Sequence, residues 1–322
     1  MSIHFRDLAE QAGADGTISA EEILGLRREA WSDGAIDLEK AEALFAANDR
    51  LAEFTPEWND FFVETLTEFV VNGGDPHGYV DDAKADWLAS HIDRDGRLES
   101  MAELELVVRI MEKAVSVPAE MRTYALDQVE QAVLDGAGPT RNDGGLLPGS
   151  INAAECNLLR RMIFAAGGDR PAAVSQAEAE MLFRIKNASL EGDNAPEWEL
   201  LFVQGVANFL LGFGGNEPLS HQRAVELEAF MNGPAAGVGG FLANMSRATA
   251  AAGFGSLLSL GGASPDENED RDFELEVEDA LAVTDEESSW LHCQLEADTQ
   301  LDPYEKALLA FIADETGEDF KP

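Results

Sequence analysis

The chain repeats itself, and any fold it adopts must accommodate that repetition. "ISAEEILGLRREAW" from Ile18 matches "INAAECNLLRRMIF" from Ile151, setting Glu22 on Glu155 and Leu26-Arg27-Arg28 on Leu159-Arg160-Arg161. "AEALF" (41–45) matches "AEMLF" (179–183), and "PEWNDFFVE" from Pro56 matches "PEWELLFVQ" from Pro196. "DWLASHIDRDGRLE" from Asp86 then matches "SWLHCQLEADTQLD" from Ser289. Blocks recurring in one order read as a tandem duplication. Repeat one spans 1–134, a Gly/Pro/Asp linker "DGAGPTRNDGGLLPGS" fills 135–150, and repeat two spans 151–322. The copies part between the third and fourth blocks. Repeat one runs from Val71 through "NGGDPHGYVDD" to Trp87, whereas repeat two carries an insertion at about 215–282 with glycine-rich "NGPAAGVGG" and acidic "SPDENEDRDFELEVED".

Nearly every block has the helical period, with apolar residues at three and four and abundant Leu and Ala. Ser19-x-x-Glu22, Asn152-x-x-Glu155, Ser175-x-x-Glu178 and Thr284-x-x-Glu287 each place an oxygen cap three residues before a Glu, the capping-box start signal. A further helical pattern covers 117–134. Only "DFELEVED" (272–279), where Phe273, Leu275 and Val277 alternate with Glu, reads as strand-like or extended. The predicted class is all-α, two tandem helical domains.

Forty-five per cent of the 322 residues are hydrophobic, enough to bury real cores despite a formal charge of −40 from 62 acids and 22 bases. That charge opposes sequence-independent nucleic-acid binding, which needs a cationic face, and docking on anionic lipid. It leaves a cation, a basic protein, or simple solvation. Cys156 and Cys293 lie far apart without CxxC or His spacing, so neither a disulfide scaffold nor a zinc site is expected. "MSIHFRDLAEQ" lacks the pattern of a secretion signal, and no stretch offers roughly 18 apolar residues of spanning quality; both predict a cytoplasmic protein.

Four turns run from carboxylate through an aliphatic residue into a helix start: "GADGTISAEE" (13–22), "WSDGAIDLEK" (31–40), "HIDRDGRLES" (91–100) and "QLEADTQLDPYE" (294–305). An EF-hand calcium loop needs oxygens at positions 1, 3, 5, 9 and 12, glycine at 6 and an aliphatic at 8. Aligned on the glycine, the turns offer Asp15; Asp33 and Asp37; Asp93, Asp95 and Glu99; and Glu296, Asp298, Asp302 and Glu305. None has Asp at position 1, Lys40 stands at position 12 of the second, and Thr299 replaces glycine in the fourth. A capped helix after a left-handed turn yields the same residues at positions 9 and 12. Two readings therefore stand: a weak Ca²⁺ site, since carboxylates favour a hard cation, or a structural turn.

"LRREAWSDGAIDLEKAEALF" (26–45) resembles the helix, Asp-Gly-x-Ile, helix signature of the tellurite-resistance TerB-like domains, as does the turn at 93–98 less closely. The resemblance implies an all-helical domain whose acidic residues bind divalent cations, in a stress-response setting, with Asp15, Asp33, Asp37, Asp93 and Asp95 as the positions carried over. In repeat two the matching turn reads "FAAGGDRPAAVSQAE", with no equivalent of Asp33-Gly34, which implies a degenerate copy.

Trp58, Trp198, Trp87 and Trp290 are read as core residues, the first two following a Pro at a helix start. His77 and His91 stand near carboxylates without a metal-pair spacing. No nucleophile elbow, Walker loop, dinucleotide fingerprint or zinc-protease motif occurs, so no catalytic or cofactor-binding residue is named. Segment 235–264, with Arg247 its one charge, reads as a packed or loosely ordered insertion. The expected function is non-enzymatic: an acidic module that binds Ca²⁺ and couples this to a protein partner. The alternative is a metal-independent helical scaffold whose acidic face binds a basic protein.

Overall fold

The computed structural model describes residues 2–32, 34–74, 77–93, 96–141, 147–165, 167, 173–211, 285–295 and 301–317. The strand-like stretch 272–279, segment 235–264, the Thr284 cap and four candidate acids (Asp33, Asp95, Glu296, Asp298) lie outside them. The described residues form α1 (Ser2–Ala12), α2 (Ala20–Ala30), α3 (Leu38–Asn48), α4 (Pro56–Asn72), α5 (Asp82–Ile92), α6 (Met101–Lys113), α7 (Ala119–Asp135), α8 (Ala153–Ile163), α9 (Gln176–Ser189), α10 (Glu197–Leu211), α11 (Asp285–Leu295) and α12 (Pro303–Thr316). A short 3-10 turn covers Pro139–Arg141, and Tyr79 and Ser116 make an isolated bridge; no strand occurs among the described residues. The protein is all-α.

Helix starts follow the cap chemistry. Ser19, Asn152 and Ser175 close capping boxes with Glu22, Glu155 and Glu178, and two further boxes, Ser100 with Glu103 and Asp302 with Glu305, open α6 and α12. Each box satisfies amide donors that the first helical turn leaves free. Pro56 occupies the first turn of α4, behind the cap Thr55, where its missing N–H costs nothing.

The chain divides into two compact units, Met1–Pro148 with Ala165–Gly168, and Gly149–Phe164 with Asp169–Pro322. In the first unit α4 is the central helix, packed against α2, α3, α5 and α6. In the second α10 holds that place, packed against α8, α9 and α12. Both carry a fully buried tryptophan in the first turn, Trp58 and Trp198, followed by Phe61-Phe62 or Leu201-Phe202, also fully buried.

The aromatic surroundings run in parallel. Phe45 meets Phe62 edge-on at 5.3 Å, and Phe183 meets Phe202 at 5.2 Å. Trp87 stands 5.7 Å from Phe45 and 4.9 Å from Phe69; Trp290 stands 5.6 Å from Phe183 and 4.8 Å from Phe209. These edge-to-face pairs suit the ring quadrupoles. Trp87 and Trp290 are half-buried rather than core, because each indole N–H reaches outward to a glutamate: Glu42 at 2.8 Å and Glu180 at 3.3 Å, which match in the "AEALF" and "AEMLF" blocks.

One exchange breaks the parallel. Trp58 donates its indole N–H to Asn48 Oδ1 at 3.0 Å, whereas the Trp198 N–H has no acceptor among the described residues. The residue of α9 that corresponds to Asn48 is Lys186, whose ammonium is turned to another task.

Candidate functional site

The four acidic turns resolve differently, and in each at least one described carboxylate accepts from the protein's own groups. In the first, Gly16 has φ +83, and Asp15 Oδ1 accepts the Thr17 amide and hydroxyl, both at 3.0 Å. Those bonds, the amide first, hold the Asp15 carboxyl below its ordinary range. Asp15 is exposed, the local turn of an Asp onto its own backbone.

In the second, Gly34 has φ +82 and Asp37 caps α3 by accepting the Lys40 amide at 2.9 Å. Lys40 is only 3% exposed, and its ammonium donates to the carbonyls of Ala30 and Ala35 at 2.8 and 2.7 Å. Ala35 occupies loop position 7, whose carbonyl would ligate calcium in an EF-hand, and Lys40 occupies position 12. A tethered cation sits on the oxygen that a metal would take.

The third turn is pinned by α7. Tyr124 donates its hydroxyl to Asp93 Oδ1 at 3.1 Å; burial first, and then this carboxylate, raise the phenol's pKa. Gln128 brackets the turn, accepting the Leu98 amide at 2.9 Å and donating to the Gly96 carbonyl at 3.1 Å, with Gly96 at φ +84. Glu99 is exposed, and its backbone N–H donates to Glu103 in the box that opens α6.

In the fourth, Asp302 and Glu305 are the capping box of α12 and both accept from Lys186, at 2.6 and 2.7 Å. The side chains of Lys186 and Glu305 are 1% exposed and that of Asp302 8%, so the ion triad is buried. Leu98 stands two residues before its cap Ser100, but Leu301 only one before Asp302, so this turn is a residue shorter than the sequence blocks imply. As in the second turn, a lysine ammonium sits on the turn's oxygens, here the carboxylates at positions 9 and 12.

The candidate acids thus fall into separate turns. No group of three or more His, Cys, Asp or Glu side chains gathers for a metal among the described residues. Sequence reasoning missed Lys40, Lys186, Tyr124 and Gln128. The available signal was a cation inside an apolar helical face: Lys186 is flanked by Leu182, Phe183 and Ile185. Elsewhere, His91 lies 3.1 Å from Glu42, whose pKa is lowered chiefly by the Trp87 N–H; burial opposes this, and His91 adds to the lowering. Cys156 is buried, its thiol pushed up to about 12 by burial and by Glu197 and Glu155, so it stays protonated near neutral pH.

Fold and turns together define an all-helical protein of two compact units, in whose acidic turns Asp15, Asp37, Asp93, Asp302 and Glu305 accept from the protein's own groups. No protein-family model, curated protein or solved structure matches the chain.

Proposed function

We propose that the protein is a non-enzymatic, metal-independent helical scaffold, a duplicated unit of TerB-like type whose acidic exterior binds a basic protein partner. The observation that carries this reading is the pair of buried lysines. Lys40 and Lys186 place ammonium groups on the oxygens of two acidic turns, so those turns hold their shape with no bound ion. The excess of 62 acids over 22 bases then serves attraction and steering of a cationic partner.

A second reading, divalent-cation binding at the other two turns, is favoured by the left-handed Gly16 and Gly96, the glycine geometry of a calcium loop, beside the exposed Asp15 and the half-exposed Asp93. Thermal melts in Ca²⁺, in Mg²⁺ and in EDTA with NaCl at matched ionic strength separate the two. A ligand bound only by the folded state raises the melting temperature by linkage. The scaffold reading expects identical melts; a gain specific to millimolar Ca²⁺ sinks it in favour of the second.

A further inference from the structure

The first turn of α10 and the outer face of α12 enclose a groove of 510 Å³, the size of a pocket for a few large side chains. Pro196, Leu200 and Val203 form one wall, Tyr304, Ala307 and Phe311 the other. Leu200 is 48% exposed, although the first turn of an amphipathic helix normally gives such a position to a polar residue.

The first unit supplies an internal control. In the matched "PEW" blocks Leu200 corresponds to Asp60, and with the α6 and α12 capping boxes aligned Ala307 and Phe311 correspond to Glu105 and Arg109. There Arg109 is paired with Glu105 at 3.2 Å and Glu112 at 3.8 Å, an ordinary solvated helix face. The second unit has exchanged these charges for Leu, Ala and Phe at the positions that line the groove. One carboxylate, Glu199, lines it, and a second, Glu315, stands outside the lining one helical turn beyond Phe311 on the same helix face, with Oε1 buried and without a partner among the described residues. The position matching Glu315 on α6 is Lys113, so this end of the face is negative in the second unit alone.

We infer that this groove is the docking site for a short amphipathic cationic segment of a protein partner, its large apolar side chains between α10 and α12 and its lysines or arginines against Glu199 and Glu315. The choice of occupant rests on charge complementarity: an apolar cleft lined by Glu199, with Glu315 one helical turn beyond it, on a chain of net charge −40 suits a cationic segment rather than an acidic one. It rests on the scaffold reading above and gives that reading an address.

The test is fluorescence anisotropy of a labelled peptide of two Leu-Lys-Lys-Leu-Leu-Lys-Leu units titrated with the full chain. The decisive variant carries Leu200→Asp with Phe311→Arg, the first unit's own residues, which leaves the net charge unchanged. The groove predicts affinity at least tenfold lower for the double variant and severalfold lower, with a shallower salt dependence, for Glu315→Gln. Leu200→Asp alone, which adds negative charge, must also weaken binding; circular dichroism confirms that each variant is folded. Salt-sensitive binding that ignores all three variants overturns the groove while leaving the acidic-scaffold reading standing. No binding by the parent chain overturns both. A self-association of the parent chain that the double variant abolishes gives the groove to a second copy and overturns the cationic segment.

Discussion

Asn48 and Lys186 occupy corresponding helix positions, and the difference between them predicts a difference between two tryptophans. Trp58→Phe removes the donor of Asn48 Oδ1, a side chain 8% exposed, leaving a buried acceptor to be re-satisfied. Trp198→Phe removes an N–H that already lacks an acceptor among the described residues. Both lose similar packing, so Trp58→Phe should cost about 1–3 kcal/mol more than Trp198→Phe, the penalty of an unsatisfied buried polar atom. Urea unfolding of the two variants beside the parent measures this; equal losses would mean that the Asn48 bond contributes nothing. Glu42 supplies the pH counterpart. Its pKa is lowered in the folded state, so its contribution is present above the unfolded value of 4.5 and is lost as pH falls through the lower folded value. Glu42→Gln should therefore flatten the loss of stability as pH falls below 4.5, so the gap in melting temperature between parent and variant at pH 5 should narrow at pH 3; an unchanged gap would mean that Glu42 gains nothing from its partners.

At the scale of elements, the buried triad ties α9 to α12 across more than a hundred residues of sequence, through Lys186 with Asp302 and Glu305. Lys186→Met strands Glu305, 1% exposed, without its counter-charge, and should cost about 3–5 kcal/mol. Replacing the whole triad (Lys186→Met, Asp302→Asn, Glu305→Leu) keeps a cap at α12 and should recover most of the loss, since desolvating the charges offsets much of their attraction. Calorimetry on both variants checks it; a triple variant as unstable as the single would show that the triad contributes a net gain. The elements themselves were legible in the sequence. Local signals specify them: a Ser, Asn or Asp cap, a Glu three residues on, and an apolar stripe, as at Ser19, Asn152 and Ser175. The turns were legible only as outlines. Asp-Gly spacing shows where the chain reverses, but Lys186 is more than a hundred residues from the carboxylates it neutralises and Tyr124 thirty-one from Asp93. Such pairings follow from helix packing, which no local window contains. Trp87 and Trp290 illustrate the same limit, since apolar bulk predicted core burial while their N–H groups sought Glu42 and Glu180 at the rim.

For the whole molecule, charge sets a condition that no single turn relieves. Even if every one of the 22 bases met an acid, 62 − 22 = 40 carboxylates would remain in excess. Surface pairs such as Arg27–Glu64 and Arg97–Asp135 are half-exposed and contribute little each. The folded state therefore carries self-repulsion that the expanded unfolded chain relaxes. Screening should weaken it: the Debye length falls from about 30 Å at 0.01 M salt to about 3 Å at 1 M. The melting temperature should accordingly rise by several degrees between about 0.01 M and 0.5 M NaCl, with most of the gain below about 0.15 M, where that length is still about 8 Å and charges on neighbouring helices feel one another. The double variant Lys40→Met, Lys186→Met probes a separate quantity, because its buried carbonyls and carboxylates are shielded from bulk ions; its deficit relative to the parent should persist at every salt concentration. Differential scanning calorimetry over that series distinguishes the two. A melting temperature flat with NaCl would mean that the acids are spread too thinly to repel. A deficit erased by salt would mean that the lysines act as ordinary surface counter-charges rather than as the internal cations of the turns.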